Sequence, residues 1–362
     1  VNAATNKSPK HPKRLIMLYV VLFFLLFSLL LYVLLGGADF GAGIVELFSS
    51  RENKKVNRDT IYRVMGPIWE ANHIWLIILI VILWIAFPVY FNIIIIYLHV
   101  PLTLVLLGIT MRGVSFVFRH YDAFQDKSQL VYNGLFRFSS FITPIFLGMC
   151  FAALVGGKLV VTEDYTNYGF YDLFMAPWFN GFGILVGLFY ASLCAFLAST
   201  LLIGESEGDI RNMYIQKSKI STAVLVVLGF VLIAYGFFSE IAFIRDFVTN
   251  PISIICIILS GILLIPLWKF IRAGRRILSR YFAGLQVVLV LFAALVAHFP
   301  YVIITSSQEI SLLEDISPDS VIMVLGISLI IGGGIILPGL FHLMKSFKMI
   351  KIFDRDEQQF QK

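Results

Sequence analysis

Apolar runs of about twenty residues recur along the chain, and nothing else constrains its fold as strongly. The bilayer core offers no water to backbone N–H and C=O groups, so a crossing segment must satisfy them internally, as a helix of about 20 residues does. Nine such windows can be read, at roughly 15–45, 64–88, 93–117, 133–157, 179–203, 219–239, 252–271, 281–305 and 321–345. The chain is 59% hydrophobic and only 14% charged, where a soluble domain carries about 25% charged residues. The expected fold is therefore an all-α polytopic membrane protein of about nine transmembrane helices, arranged as two four-helix bundles plus one peripheral helix. A tail over 1–14, one membrane domain over 15–345 and a second tail over 346–362 complete the expected organisation. The longest polar segments between windows, near 157–178 and 305–320, are too short to hold a soluble domain. The first apolar run, about 21 residues, exceeds the 7–15-residue core of a signal peptide and reads as the first helix.

Charge placement gives the orientation. Most of the 28 Lys and Arg residues fall on one set of alternate loops: Arg51 to Arg63, Arg112 to Arg137, Arg211 to Lys219, Lys269 to Arg280 and the C-terminal segment from Lys345. Cytoplasmic loops carry such an excess, which puts the C-terminus in the cytoplasm. Lys7, Lys10, Lys13 and Arg14 dissent, since an outside N-terminus must carry them across. The loops of the opposite side are acidic, with Glu163, Asp164, Asp172, Glu309, Glu314, Asp315 and Asp319. Topology accounts for the net charge of +6, so no nucleic-acid partner is called for.

Against this background the polar residues inside the windows stand out, because an ionisable group in a membrane helix costs several kcal/mol and is a functional-site candidate by default. Asp39 lies in Gly36-Gly37-Ala38-Asp39-Phe40-Gly41-Ala42-Gly43, and Glu70 in Gly66-Pro67-Ile68-Trp69-Glu70-Ala71-Asn72-His73-Ile74-Trp75. Helix 1 running inward puts Asp39 near its cytoplasmic end. Glu70 lies seven residues beyond Arg63, about 10 Å along a helix, and Arg112 closes the third window. All three charges thus share the cytoplasmic half of the bilayer. Two carboxylates and an arginine at one depth can neutralise one another structurally, or they can line a water-filled path that relays protons. His73 shares a helix face with Glu70 at i+3; as a lone intramembrane imidazole it reads equally as a satisfied core residue or a haem ligand.

The remaining polar and special residues are read as structural. Cys150, Cys194 and Cys256 lack metal-ligand spacing and read as small buried hydrophobes. His11, His99, His120, His298 and His342 have no partner at ligand spacing, so no metal site is expected. Gly37 and Gly41 form a small-xxx-small pair for close helix approach, and Trp69 and Trp75 read as packing aromatics.

At these residues the chain resembles subunit II of the cytochrome bd-type quinol oxidases, including their cyanide-insensitive relatives. Gly36 to Gly43 is similar to the family's Asp-Gly-Phe-Asp-x-Gly-x-Gly segment, and Pro67 to Leu76 to its Pro-x-Trp-(Asp/Glu)-x-Asn-x-x-Trp-Leu segment. Arg112-Gly113-Val114-Ser115-Phe116 with Arg119 is similar to the end of the family's third helix, and His298-Phe299-Pro300-Tyr301 to its Phe-Pro segment. The likeness is sharp over about 30–120 and rests on short matches such as Ala176 to Gly183 beyond. Two positions depart: Gly36 stands where the family has an acid, and His73 where Gln or Glu is common.

The resemblance implies a non-haem subunit of a bacterial inner-membrane enzyme that oxidises quinol and reduces dioxygen. Haem b and haem d would reside in the partner, subunit I, and this chain would hold no catalytic residue of its own. It would stabilise the haem-bearing fold and contribute to proton delivery from the cytoplasm. A structural quinone and a small accessory subunit remain compatible with the resemblance. On this reading Glu70 is the main protonatable carboxylate, Asp39 its neighbour and Arg112 the charge that keeps Asp39 ionised. Asn72 and His73 are hydrogen-bonding supports. A proton-coupled secondary transporter is the rival from another class, since buried acids and helix-breaking glycines also describe carriers. A scaffold subunit with purely structural charges is the third.

Overall fold

The computed structural model describes residues 12–50, 54–121, 128–162, 164–273 and 275–346. The first half contains α1 (Pro12–Leu47), α2 (Lys54–Ala86), α3 (Pro88–Tyr97), α4 (His99–Tyr121), α5 (Ser128–Val155) and α6 (Phe170–Phe174). The second contains α7 (Gly181–Gly204), α8 (Gly208–Phe238), α9 (Ala242–Thr249), α10 (Pro251–Ile262), α11 (Leu264–Arg272) and α12 (Arg276–His298). A hairpin of β1 (Tyr301–Ile304) and β2 (Glu309–Ser311) precedes α13 (Asp319–Ser346).

Among the described residues eight helical segments are long and apolar enough to cross a membrane, and a bent pair makes up to nine. That pair, Asn72–Ala86 with Pro88–Tyr97, turns through 115°. The window expected at 93–117 is therefore corrected: its first residues belong to α3, and the spanning helix begins at His99. Pro88 explains the break. It has no N–H to donate into α2 and a fixed φ suited to the first turn of a new helix, while Phe87 before it leaves the helical region at φ −129°, ψ 61°. The window at 281–305 is corrected likewise. Helix α12 stops at His298, ahead of a cis Phe299–Pro300 bond, and the β-branched run Val302-Ile303-Ile304 pairs as a strand.

Side-chain caps set other boundaries. The Asn180 Oδ1 accepts from the Gly183 amide at 3.0 Å and starts α7. The Asn250 Oδ1 accepts from the Ile252 amide at 2.9 Å and starts α10, with Pro251 in its first turn.

Helix α1 packs on α2, α5, α7 and α13, α4 packs on α5, and α5 packs on α7. Helix α7 also carries α8, while α12 gathers α9, α10 and α11. Backbone proximity makes these contacts possible. A Cβ on Gly41 would overlap the Cys194 carbonyl, and one on Gly37 would lie 2.9 Å from Leu197 Cδ1. Gly148 and Gly187 bring α5 and α7 together in the same way. One end of the molecule carries Glu46, Arg119, Arg137 and Lys217, and is called the basic end; the hairpin lies at the other.

Candidate functional site

Asp39 and Arg112 are 1% and 2% exposed, which places an ion pair inside the helix bundle. Arg112 Nη1 donates to Asp39 Oδ2 at 2.5 Å and Nη2 to Oδ1 at 2.8 Å. Nη2 also reaches the Asp39 backbone carbonyl at 2.7 Å, and Nε donates to Ser140 Oγ at 2.9 Å. The forked guanidinium thereby spans α1, α4 and α5. Its flat faces meet the rings of Phe40 and Phe136, 5.2 Å and 4.9 Å from their centroids. A bidentate, stacked arrangement of this kind is what arginine supplies and lysine cannot.

Beside the pair lies a small cavity of about 10 Å³, close to the space one water needs. Tyr32 and Asp39 line it from α1, Trp69, Asn72, His73 and Leu76 from α2, and Ile109 and Arg112 from α4. Asp39, Asn72, His73 and Arg112, distant in sequence, thus line one cavity. The His73 Nδ1 lies 2.7 Å from the Trp69 carbonyl. A carbonyl can only accept, so Nδ1 carries the hydrogen and Nε2 is left as an acceptor in the neutral ring. Among the described residues the Asn72 Oδ1 and the Tyr32 hydroxyl are buried without a hydrogen-bond partner. Asn72 packs so closely on α1 that a Cβ at Gly36 would come within 2.8 Å of its Oδ1. The absence of a side chain at position 36 is what admits that amide.

The Glu70 backbone continues α2 through this region, but its side chain lies outside the described residues. Trp69 stacks edge-on to His73, with centroids 5.4 Å apart, and meets Phe116 at 5.7 Å. Trp75 is buried against Phe27, and its Nε1 has no partner among the described residues. Among the described residues no group of three or more His, Cys, Asp or Glu side chains could hold a metal ion. The cavity at His73 is far too small for a porphyrin, so the haem-ligand alternative does not fit this site.

A second ion pair was not anticipated. Glu46 accepts from Arg119 Nη2 at 2.9 Å and 3.1 Å, and Arg137 Nε stands 3.9 Å from Glu46 Oε1. Both pairs join residues 73 apart in sequence, so α1 and α4 run in the same direction with their charges in register. Two turns, about 10.5 Å, separate the pairs. The Phe136 ring serves both guanidinium groups, at 4.9 Å from Arg112 and 4.3 Å from Arg119. Lys217 closes the basic end by donating to the Val45 carbonyl at 2.9 Å and to Ser49 Oγ. The equal spacing of Asp39 to Glu46 and Arg112 to Arg119 was the available signal.

Residues 17–347 match the sequence model of the family described as cytochrome bd terminal oxidase subunit II. The chain belongs to that family. A Bacillus subtilis (strain 168) protein assigned as a cytochrome bd menaquinol oxidase subunit II is 27% identical over 91% of this chain and 94% of its own. The cytochrome bd-I ubiquinol oxidase subunit 2 of Escherichia coli (strain K12) is 25% identical over 60% of this chain and 59% of its own. The fold is also that of a solved chain from the bd oxidase of Geobacillus thermodenitrificans. That chain has a TM-score of 0.69 and 18% identity, with 94% of this chain and all of that one covered. Members of the bd subunit II family are thus parts of a quinol oxidase complex, and the transporter reading finds no support in these matches.

Proposed function

We propose that this chain is the non-haem subunit of a membrane quinol:dioxygen oxidoreductase, which steadies a haem-bearing subunit I and provides a cytoplasmic proton path. Haem b and haem d belong to the partner in this reading and supply the electron transfer and oxygen chemistry. In this reading the membrane is a bacterial inner membrane, and the basic end and the C-terminus face the cytoplasm, in keeping with the Lys and Arg excess. The single observation that carries the path is the cavity shared by Asp39, Arg112, Tyr32, Asn72 and His73. It is a polar pocket of water size inside apolar helices, next to a charged pair.

In this path Asp39 is the fixed negative charge, since both its oxygens are taken by Arg112. Glu70, one turn before His73 on α2, is the main protonatable carboxylate. Asn72 supplies a carbonyl oxygen with no partner among the described residues, which suits it to hold a water. Gly37 and Gly41 keep α1 against α7 and so fix where Asp39 points. An apolar groove of about 650 Å³ between α1, α2 and α13, bordered by Phe24, Trp75, Val324 and Gly333, would accommodate a structural quinone.

The Glu70→Gln variant tests the path. It should slow oxygen consumption by the assembled oxidase while haem content stays unchanged. Full turnover in that variant would refute the relay.

A further inference from the structure

The candidates outside the pair are few: the Glu46–Arg119 pair, the His298 ring beside Asp246, the groove along α13, and the free nitrogen of His73. The last carries furthest. We infer that His73 is a proton-carrying station of the path rather than a hydrogen-bonding support, loading and releasing its proton at Nε2; this rests on the proton-path reading above.

Few of the groups around the cavity can change charge near neutrality. From α4, Arg112 is a permanent cation. From α1, Asp39 has both carboxylate oxygens engaged by that cation, and Tyr32 is a phenol. Behind them Tyr190 and Cys194 of α7 face Tyr32 and Asp39, and neither a phenol nor a buried thiol titrates near pH 7 as a class. Asn72 does not titrate at all. On α2 itself Glu70 precedes His73 by three positions. Imidazole is the side chain whose ordinary titration falls between pH 5 and 8, and among the described residues lining the cavity His73 is the only one.

Geometry then selects the nitrogen. The Trp69 carbonyl holds the hydrogen of Nδ1 at 2.7 Å and turns the ring, so Nε2 keeps a lone pair. Among the described residues Nε2 has no hydrogen-bond partner. A proton arriving there forms an N–H bond and an imidazolium, which the Asp39 carboxylate attracts and the Arg112 guanidinium opposes across the same cavity. Release breaks the same bond and restores the neutral ring, with Nδ1–H unchanged throughout. A carrier that merely braced the helix would need neither a fixed tautomer nor an open second nitrogen.

The test uses the intact oxidase purified with its partner. In the parent enzyme, quinol-driven oxygen consumption should fall as pH rises through the imidazole range, because loading of Nε2 becomes limiting. His73→Gln, which keeps an amide donor but cannot titrate, should lower the rate about tenfold or more and abolish that pH-dependent fall. His73→Ala should be slow and regain rate on addition of imidazole. A His73→Gln enzyme with the parent rate and the parent pH profile would overturn the assignment. If Glu70→Gln is slow in that same series, the path stands and only His73 is excluded; if Glu70→Gln is also unaffected, the path itself fails.

Discussion

Removing Arg112 should show how strongly the buried pair is coupled. Arg112→Met takes away four hydrogen bonds, three to Asp39 and one to Ser140. It leaves a carboxylate that is 1% exposed without its counter-ion. Breaking a buried pair from one side costs about 3–5 kcal/mol, because the remaining charge is stranded. Asp39→Asn alone strands the guanidinium and should cost a similar amount. In the double variant no charge remains, and only neutral polar groups are left short of partners, at about 1–3 kcal/mol. The double variant should therefore be more stable than either single one, by roughly 2 kcal/mol. Unfolding of the purified complex in a detergent titration, followed by helical circular dichroism, gives the three differences. Additivity of the two single changes to within about 0.5 kcal/mol would refute the pair as described.

Two further outcomes follow from the same packing. Gly41→Val should prevent α1 from seating on α7, because a Cβ there meets the Cys194 carbonyl, whereas Gly134→Ala meets nothing within 4 Å; yield of the assembled complex distinguishes them. Glu46→Ala should destabilise the protein by about 3–5 kcal/mol by stranding Arg119, which is 6% exposed, and Arg119→Met should largely relieve that loss in the same unfolding assay.

Much of the fold is legible in the sequence because hydrocarbon leaves helices few alternatives. The windows near 133–157 and 179–203 coincide with α5 and α7 except for two residues at one end of each, and the shared depth of Asp39 and Arg112 follows from alternating helix direction alone. The bend at Phe87–Pro88 is not legible by hydropathy, since residues 77–98 are almost uniformly apolar on both sides of it. Only the proline signals the turn, and prolines also occur within continuous helices here, as Pro144 does in α5. The β-hairpin is hidden for a related reason: Val302-Ile303-Ile304 extends the hydropathy of α12 without extending its helix. The Glu46–Arg119 pair went unread because positive charge near helix ends already had an explanation in topology. Its seven-residue spacing from Asp39–Arg112 becomes meaningful once α1 and α4 are known to run in the same direction, each packed on α5. The tautomer of His73 depends on the Trp69 carbonyl, a main-chain contact that no side-chain pattern announces.

The central claim is that this chain works as the haem-free half of a bd-type oxidase, and co-purification tests it most directly. A tag on this chain should bring down a partner from native membranes whose reduced-minus-oxidised spectrum contains haem b and haem d bands. A colourless preparation from oxygen-limited cells, with the chain intact and folded, would contradict the account.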